Sequence, residues 1–346
     1  MSSKSKNIRD LTLDELKQYF ESINDKKFRA IQVYEWLWKK NARSFDEMSN
    51  LSLELRKKLS EDFTIPALKV NATQHSSDGT LKVRFETIDH HFIEGVIIPT
   101  ENRNTACVSS QIGCSLSCSF CATGQMERKR NLSFDEIYDQ VAMLNEISRE
   151  TYGKGLSNIV YMGMGEPLLN YANVLKSIDK ITSTDSFGMS PKRITVSTAG
   201  VGKMIKKLGD DGVRFNLALS LHAPNDEKRN EIMHINETND IKSLIDALNY
   251  FYNKTKNEIT LEYVLLANVN DSIEHANQLI EIYKRIPTHL INVIEYNPVK
   301  GLGFKGAEED RTLAFTKHML DRKVNVRLRR SRGKDIDAAC GQLANK

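Results

Sequence analysis

Three of the five cysteines in this chain fall in one short stretch, Gly113-Cys114-Ser115-Leu116-Ser117-Cys118-Ser119-Phe120-Cys121-Ala122-Thr123-Gly124. The spacing is C-x3-C-x2-C, with an aromatic residue just before the third thiol, in a loop expected between a strand and a helix. A disulfide framework would spread its cysteines and pair them, so an odd number clustered in this way points to metal ligation or thiol chemistry. Three thiolates can hold three irons of a [4Fe–4S] cube and leave the fourth without a protein ligand. That open iron is a position where a substrate can bind. A zinc site with Cys107 as its fourth ligand is the competing reading, but structural zinc usually shows two separated two-cysteine knuckles and no second pair is present.

Cys107 and Cys340 are left over. A free cysteine is most simply an inert, buried small hydrophobe, and Cys107 fits that description. Cys340 lies in a Gly- and Ala-flanked segment near the terminus, where an exposed thiol could move. Met162-Gly163-Met164-Gly165-Glu166-Pro167 puts two glycines where a strand should end, and glycine lets a backbone approach a ligand closely. A Rossmann fingerprint would need a third glycine where Leu168 stands, so a conventional nucleotide-fold methyltransferase fails that test. Ser197, the run Ser220-Leu221-His222 and Asn297 each follow a predicted strand; singly, each reads as a turn, a cap or a hydrogen-bonded strand end. Glu94 is an acid inside a predicted strand, ordinarily a solvent-facing residue.

The elements that must position these groups are legible as patterns. Residues 1–70 read as a small all-helical domain, with capping boxes at Thr12/Glu15 and Ser44/Glu47 and helical spacing of Phe28, Ile31, Tyr34, Leu37 and Trp38 between them. Lys26, Lys27, Arg29, Lys39, Lys40 and Arg43 cluster there, either as a solvated face or as a nucleic-acid docking module. Residues 71–105 read as a β-hairpin region around the Ser76–Gly79 turn signal, with strands at Leu81–Phe85 and Phe92–Ile98. From 106 to 330, short apolar runs alternate with amphipathic helices such as Ser133–Ile147 and Ile273–Ile286. Ala106–Ser109, Asn158–Met162, Arg193–Val196, Asn216–Leu219, Ile259–Leu265, Leu290–Ile294 and Val324–Leu328 are the predicted strands. About six such units predict an α/β fold, a partial (β/α)6 barrel with its active groups at the C-terminal strand ends, and residues 331–346 form a C-terminal extension.

No apolar run approaches the length of a membrane helix, and the polar start Met1–Lys6 shows no signal or transit peptide, so a cytoplasmic protein is expected. Basic residues (49) exceed acidic ones (45) by only the net charge of +4, which permits a polyanionic partner without demanding one. Two basic runs, Arg128-Lys129-Arg130 and Arg329, Arg330, Arg332 and Lys334, flank the proposed chemistry and suit phosphate contacts to a folded RNA.

The cysteine loop resembles that of the radical S-adenosylmethionine (SAM) enzymes. Cys107-Val108-Ser109-Ser110-Gln111, Met162–Asn170, Ser220-Leu221-His222-Ala223-Pro224-Asn225 and Asp335–Leu343 further resemble the RNA adenine C2-methyltransferase family over nearly the whole chain. The resemblance implies a [4Fe–4S] cluster on Cys114, Cys118 and Cys121, with SAM bound by Gly165, Glu166, Ser197, Ser220, Leu221, His222 and Asn297. It implies that Cys340 carries a methyl group, that Glu94 accepts a proton, and that Cys107 resolves an RNA–Cys340 thioether, leaving a Cys107–Cys340 disulfide. Adenine C2 is electron-poor and cannot take a methyl group as a nucleophile, and the radical route avoids this obstacle. One SAM would methylate Cys340 and a second would supply the radical that activates the S-methyl group. The implied substrates are 23S rRNA and tRNA, with an electron donor such as flavodoxin and flavodoxin reductase; a monomer is expected. Two alternatives stay open, a sister family acting on adenine C8 and a non-catalytic, zinc-stabilised RNA-binding protein.

Overall fold

A computed structural model describes residues 6–345; the polar start Met1–Ser5, read above as lacking a targeting signal, lies outside them. Ten strands form one sheet whose spatial order follows the chain. β1 (Lys69–His75), β2 (Leu81–Glu86) and β3 (Phe92–Pro99) are an antiparallel meander, and β3 runs antiparallel to β4 (Asn104–Cys107). From β4 the sheet is parallel through β5 (Asn158–Tyr161), β6 (Ile194–Thr198), β7 (Asn216–Ser220), β8 (Ile259–Leu265), β9 (Leu290–Glu295) and β10 (Val326–Arg329). The crossovers carry α4 (Phe134–Tyr152), α5 (Tyr171–Thr182), α6 (Gly202–Asp210), the pair α7 (Asp226–Ile232) and α8 (Ile241–Thr255), α9 (Ile273–Lys284) and α10 (Glu309–Asp321). The expected partial barrel of six βα units is therefore present, with a seventh parallel strand at its end. Because β1 and β10 are both edges, the barrel stays open.

Local sequence explains the elements. Glu136 reaches back to the Ser133 N–H at 2.9 Å to start α4, and Gly153 in the left-handed region ends it. The Thr12/Glu15 capping box opens α1 (Leu13–Ser22), which precedes α2 (Phe28–Trp38). The Ser44/Glu47 signal is corrected by the structure: it opens only one 3-10 turn, Phe45–Glu47, and α3 (Leu53–Asp62) begins at Ser52, whose hydroxyl accepts from the Leu55 N–H at 3.2 Å. β1 was not predicted. It is solvent-facing along nearly its whole length, so it lacks the apolar alternation that marks a half-buried strand. As a result the Ser76–Gly79 turn joins β1 to β2, and the β2–β3 hairpin turns farther on, at residues 87–91.

The helical module shares one continuous apolar core with the barrel. Trp38 packs edge-on against Tyr138 of α4 at 5.1 Å between centroids, and Arg9 pairs with buried Asp139 at 2.6 Å. No helix among the described residues is long and apolar enough to cross a membrane.

Candidate active site

One cavity at the C-terminal strand ends brings together Cys114, Cys118, Cys121, Glu166, His222 and Cys340. The cysteine loop leaves β4 and bends sharply. Gly113 has φ +73°, and a Cβ there would lie 2.2 Å from the Glu127 carbonyl oxygen. Burial pushes the Cys114 thiol up to about 11 and raises Cys118 and Cys121 as well; Cys114 and Cys118 are raised further by the neighbouring thiols. A set of thiols that resists ionisation because they crowd one another in a dry pocket is one that a cationic cluster would relieve. Among the described residues no three His, Cys, Asp or Glu converge tightly enough to hold a single metal ion. A cube does not require that, because each thiolate binds its own iron, so the donor set fits a [4Fe–4S] cluster. Cys107 is not grouped with the three thiols. Burial pushes it up to about 12, with the nearness of Cys340 raising it further and Arg329 opposing the rise.

The glycine turn after β5 meets the β4 exit backbone to backbone. Gly163 donates to the Val108 carbonyl at 3.0 Å, and a Cβ on Gly163 would lie 2.7 Å from that oxygen. Gly165 has φ +92°, and a Cβ there would sit 2.4 Å from Gln111. These glycines admit a neighbouring chain segment on one side and line the cavity on the other. Glu166 is buried. Burial raises its pKa, while its carboxylate accepts from the Ala199 N–H at 2.8 Å and the Leu168 N–H at 3.0 Å, tying the ends of β5 and β6 together. Ser197 and Ser220 face each other, 3.2 Å between hydroxyls, on the cavity wall.

His222, at φ +56°, receives the Val264 N–H on Nδ1 at 3.1 Å, which assigns the proton of the neutral ring to Nε2. Phe120, the aromatic of the cysteine motif, meets this ring edge-on at 5.1 Å. Burial, with Arg229 nearby, lowers the His222 pKa to about 3. A histidine whose folded pKa lies below its unfolded value costs stability as pH falls from about 6.5 toward 3, because only the unfolded chain takes up the proton. Denaturant titrations at pH 6.5 and 5 are expected to show a loss on the order of 1 kcal/mol from this residue, absent in His222→Asn.

Three of the sequence-named residues sit elsewhere than expected. The Leu221 side chain lies in the apolar core, and its carbonyl accepts from buried Arg229 Nε at 3.1 Å. Asn297 does not line the cavity; its amide donates to the Ser331 hydroxyl at 2.9 Å and the Cys340 carbonyl at 3.4 Å, holding the C-terminal tail. Glu94 is buried rather than solvent-facing, but it also holds the tail: Oε2 accepts from the Ala344 N–H at 2.9 Å and the Asn345 N–H at 3.1 Å, and Oε1 faces Lys82 at 3.2 Å. The tail is further tied to the cysteine loop, where the Ala122 N–H donates to the Gly341 carbonyl at 2.7 Å and the Thr123 hydroxyl to the Leu343 carbonyl at 2.6 Å. Cys340 is thereby presented, exposed, to the cavity that holds the three thiols. All five cysteines are free, so the Cys107–Cys340 disulfide implied above is not formed.

The basic runs are largely engaged within the protein. Arg130 makes paired bonds to Asp89 and Glu136. Arg330 pairs with Glu295 and Glu309, and Lys334 with Glu295 at 2.8 Å. These side chains fasten loops together instead of standing free for phosphates.

The comparisons with known proteins agree with this arrangement. Residues 6–65 match the model of the ribosomal RNA large subunit methyltransferase N-terminal domain, and residues 108–280 match the radical SAM superfamily. A protein of Cytophaga hutchinsonii called a probable dual-specificity RNA methyltransferase RlmN is 53% identical, over 99% of this chain and 94% of its own length. The chain belongs to the RlmN family. A second RlmN relative, the dual-specificity RNA methyltransferase of Nitratidesulfovibrio vulgaris, is 43% identical over 97% of this chain and 93% of its own. The crystal structure of a radical SAM methyltransferase from Sphaerobacter thermophilus superposes with a TM-score of 0.93 at 36% identity, covering 99% of this chain and 100% of that one. As a radical SAM member of the RlmN family, the chain uses a [4Fe–4S] cluster and SAM.

Proposed function

We propose that the chain methylates C2 of adenine in 23S rRNA and in tRNA, with Cys340 as methyl carrier and two SAM consumed per turnover. The observation that carries this reading is the docking of Cys340 into the cavity of the three cluster thiols, held there by Ala122, Thr123 and Asn297. When bound, the cluster and SAM supply a methyl group and one-electron cleavage chemistry. Cys114, Cys118 and Cys121 would hold the cluster, and Gly165, Glu166, Ser197, Ser220 and His222 line the space for SAM. The Cys340 sulfur takes the methyl group and presents it to the base. Cys107, which with Cys340 borders a second cavity in the barrel, attacks the Cys340 sulfur as thiolate; the S–CH2 bond breaks with its electron pair on the adenine-bound carbon, which takes a proton from water to become the methyl group, leaving a disulfide that an external reductant reopens. Glu94 takes the C2 proton only once the tail frees its carboxylate; with the tail docked it acts as an anchor.

RNA docking is supported by the helical module, where the cations of Lys26 and Arg29 lie over half-exposed Phe28 and that of Lys40 over Trp36. Unlike the runs beside the site, these three cations have no acidic partner among the described residues.

The test is mass spectrometry of adenosine from a 23S rRNA fragment and from tRNA, after anaerobic incubation with cluster-reconstituted protein, SAM and a low-potential reductant. 2-Methyladenosine in both is the expected product. 8-Methyladenosine, or no methylated base from protein with an intact cluster, would overturn the assignment.

A further inference from the structure

The second cavity lies in the barrel interior. It shares Cys340, Arg329 and Glu262 with the first and extends to Cys107, Asn292 and Arg327. Branched apolar side chains normally fill a barrel at this depth, yet Glu262 sits in the middle of β8, in register with Ser220 on β7 and Asn292 on β9, and is 3% exposed. Its Oε1 is satisfied by the Asn292 amide at 2.7 Å and the Thr260 hydroxyl at 3.2 Å. Its Oε2 receives no hydrogen bond. The nearest cation, Nη1 of Arg329 on β10, is 3.8 Å away, beyond hydrogen-bond reach. The Arg329 guanidinium in turn engages no hydrogen-bond acceptor among the described residues. A buried carboxylate oxygen without a donor is costly, and here it stands beside a free donor fork, next to the two cysteines that act on the base.

An acceptor beside a donor is the complement of a group that offers a donor beside an acceptor, and the exocyclic amine of adenine next to a ring nitrogen is such an edge. Guanine would turn a carbonyl toward the carboxylate. We propose that Glu262 and Arg329 select the target base, Oε2 accepting from the adenine exocyclic amine and the guanidinium donating to the neighbouring ring nitrogen. This deepens, and rests on, the reading that Cys340 delivers its methyl group to an adenine in RNA. Neither residue is among those the sequence singled out as binding SAM or acting on the methyl group. A site built to receive an N–H rejects the analogue that lacks it, because the site's own polar group is left unpaired.

The experiment compares two anticodon stem–loop RNAs with the cluster-reconstituted full-length protein. One carries adenine at the position methylated by the wild-type protein, the other carries purine, which lacks the exocyclic amine. Wild type is expected to bind the adenine RNA roughly tenfold or more tightly. Glu262→Gln brings the ratio of Kd values close to one while SAM affinity and the cluster absorbance stay as in wild type; where that variant loses its cluster, Arg329→Gln is expected to weaken both RNAs by a similar factor, because the ring nitrogen it contacts is present in adenine and in purine. A Glu262→Gln protein that keeps the wild-type ratio, an Arg329→Gln protein that binds both RNAs as tightly as wild type, a wild type without preference, or a Glu262→Gln protein whose main loss is SAM affinity would overturn the proposal, the last by making Glu262 a ligand of the SAM ribose. Failure of the C2 reading is recognised separately, from the methylated nucleoside that the wild-type protein produces.

Discussion

Cys340→Ala removes RNA methylation altogether, with at least a thousandfold loss of rate, or about 4 kcal/mol of barrier, while iron content and SAM cleavage persist. The backbone around Cys340 is what the fold grips: its carbonyl accepts from Asn297, and the next residue, Gly341, accepts from Ala122. The thiol itself is exposed, so its removal leaves no core cavity and changes stability by less than about 0.5 kcal/mol. A chemical role and a structural role therefore separate cleanly. Liquid chromatography of the nucleosides, run beside an assay for 5′-deoxyadenosine, reads both; methylated adenosine from this variant at more than a few per cent of the wild-type yield would remove Cys340 from the reaction.

Cys107→Ala gives the opposite phenotype, in which methylene transfer proceeds but the RNA stays joined to the protein through Cys340. Cys107 is buried at the end of β4, with its thiol pushed up to about 12 by burial and further by the nearness of Cys340. Only the thiolate attacks sulfur, so release in the wild type should quicken by close to tenfold per pH unit between pH 7 and 9, all of that range lying below the thiol pKa. In the alanine variant the adduct should survive denaturing electrophoresis and excess dithiothreitol at every pH. Free methylated RNA from that variant, or wild-type release that ignores pH, would assign resolution to another group.

The cysteine motif, the glycine turn and most of the strands could be read from sequence because each is local: fixed spacing, or apolar runs between capped helices. What escaped was set by distant partners. Arg130 looked like a phosphate contact and proves to be held by Asp89, 41 residues away. Glu94, by pattern a surface acid and by resemblance a base, is buried, and the partners that hold it, Ala344 and Asn345, arrive from the far end of the chain. Asn297 falls just after a strand, as a ligand contact would, and its amide nitrogen grips the tail while its buried Oδ1 has no partner among the described residues. Glu262 did leave a signal, an acid in the middle of the apolar run Ile259–Leu265, where a lone charge in a buried strand has to face something. The polar strand β1 left none, since a strand solvated on both faces carries no period.

The clasp between Glu94 and the tail also sets an order of assembly. Ala344 reaches Glu94 across 250 residues and Thr123 grips Leu343 across 220, and contacts that distant in sequence carry a large loop-closure cost and form late. The cysteine loop, by contrast, is held within the barrel, where the Ser119 N–H donates to the Ile232 carbonyl at 3.0 Å and Phe120 meets His222. Release of the tail alone, with the barrel intact, would therefore uncover the three thiols to incoming iron and sulfide.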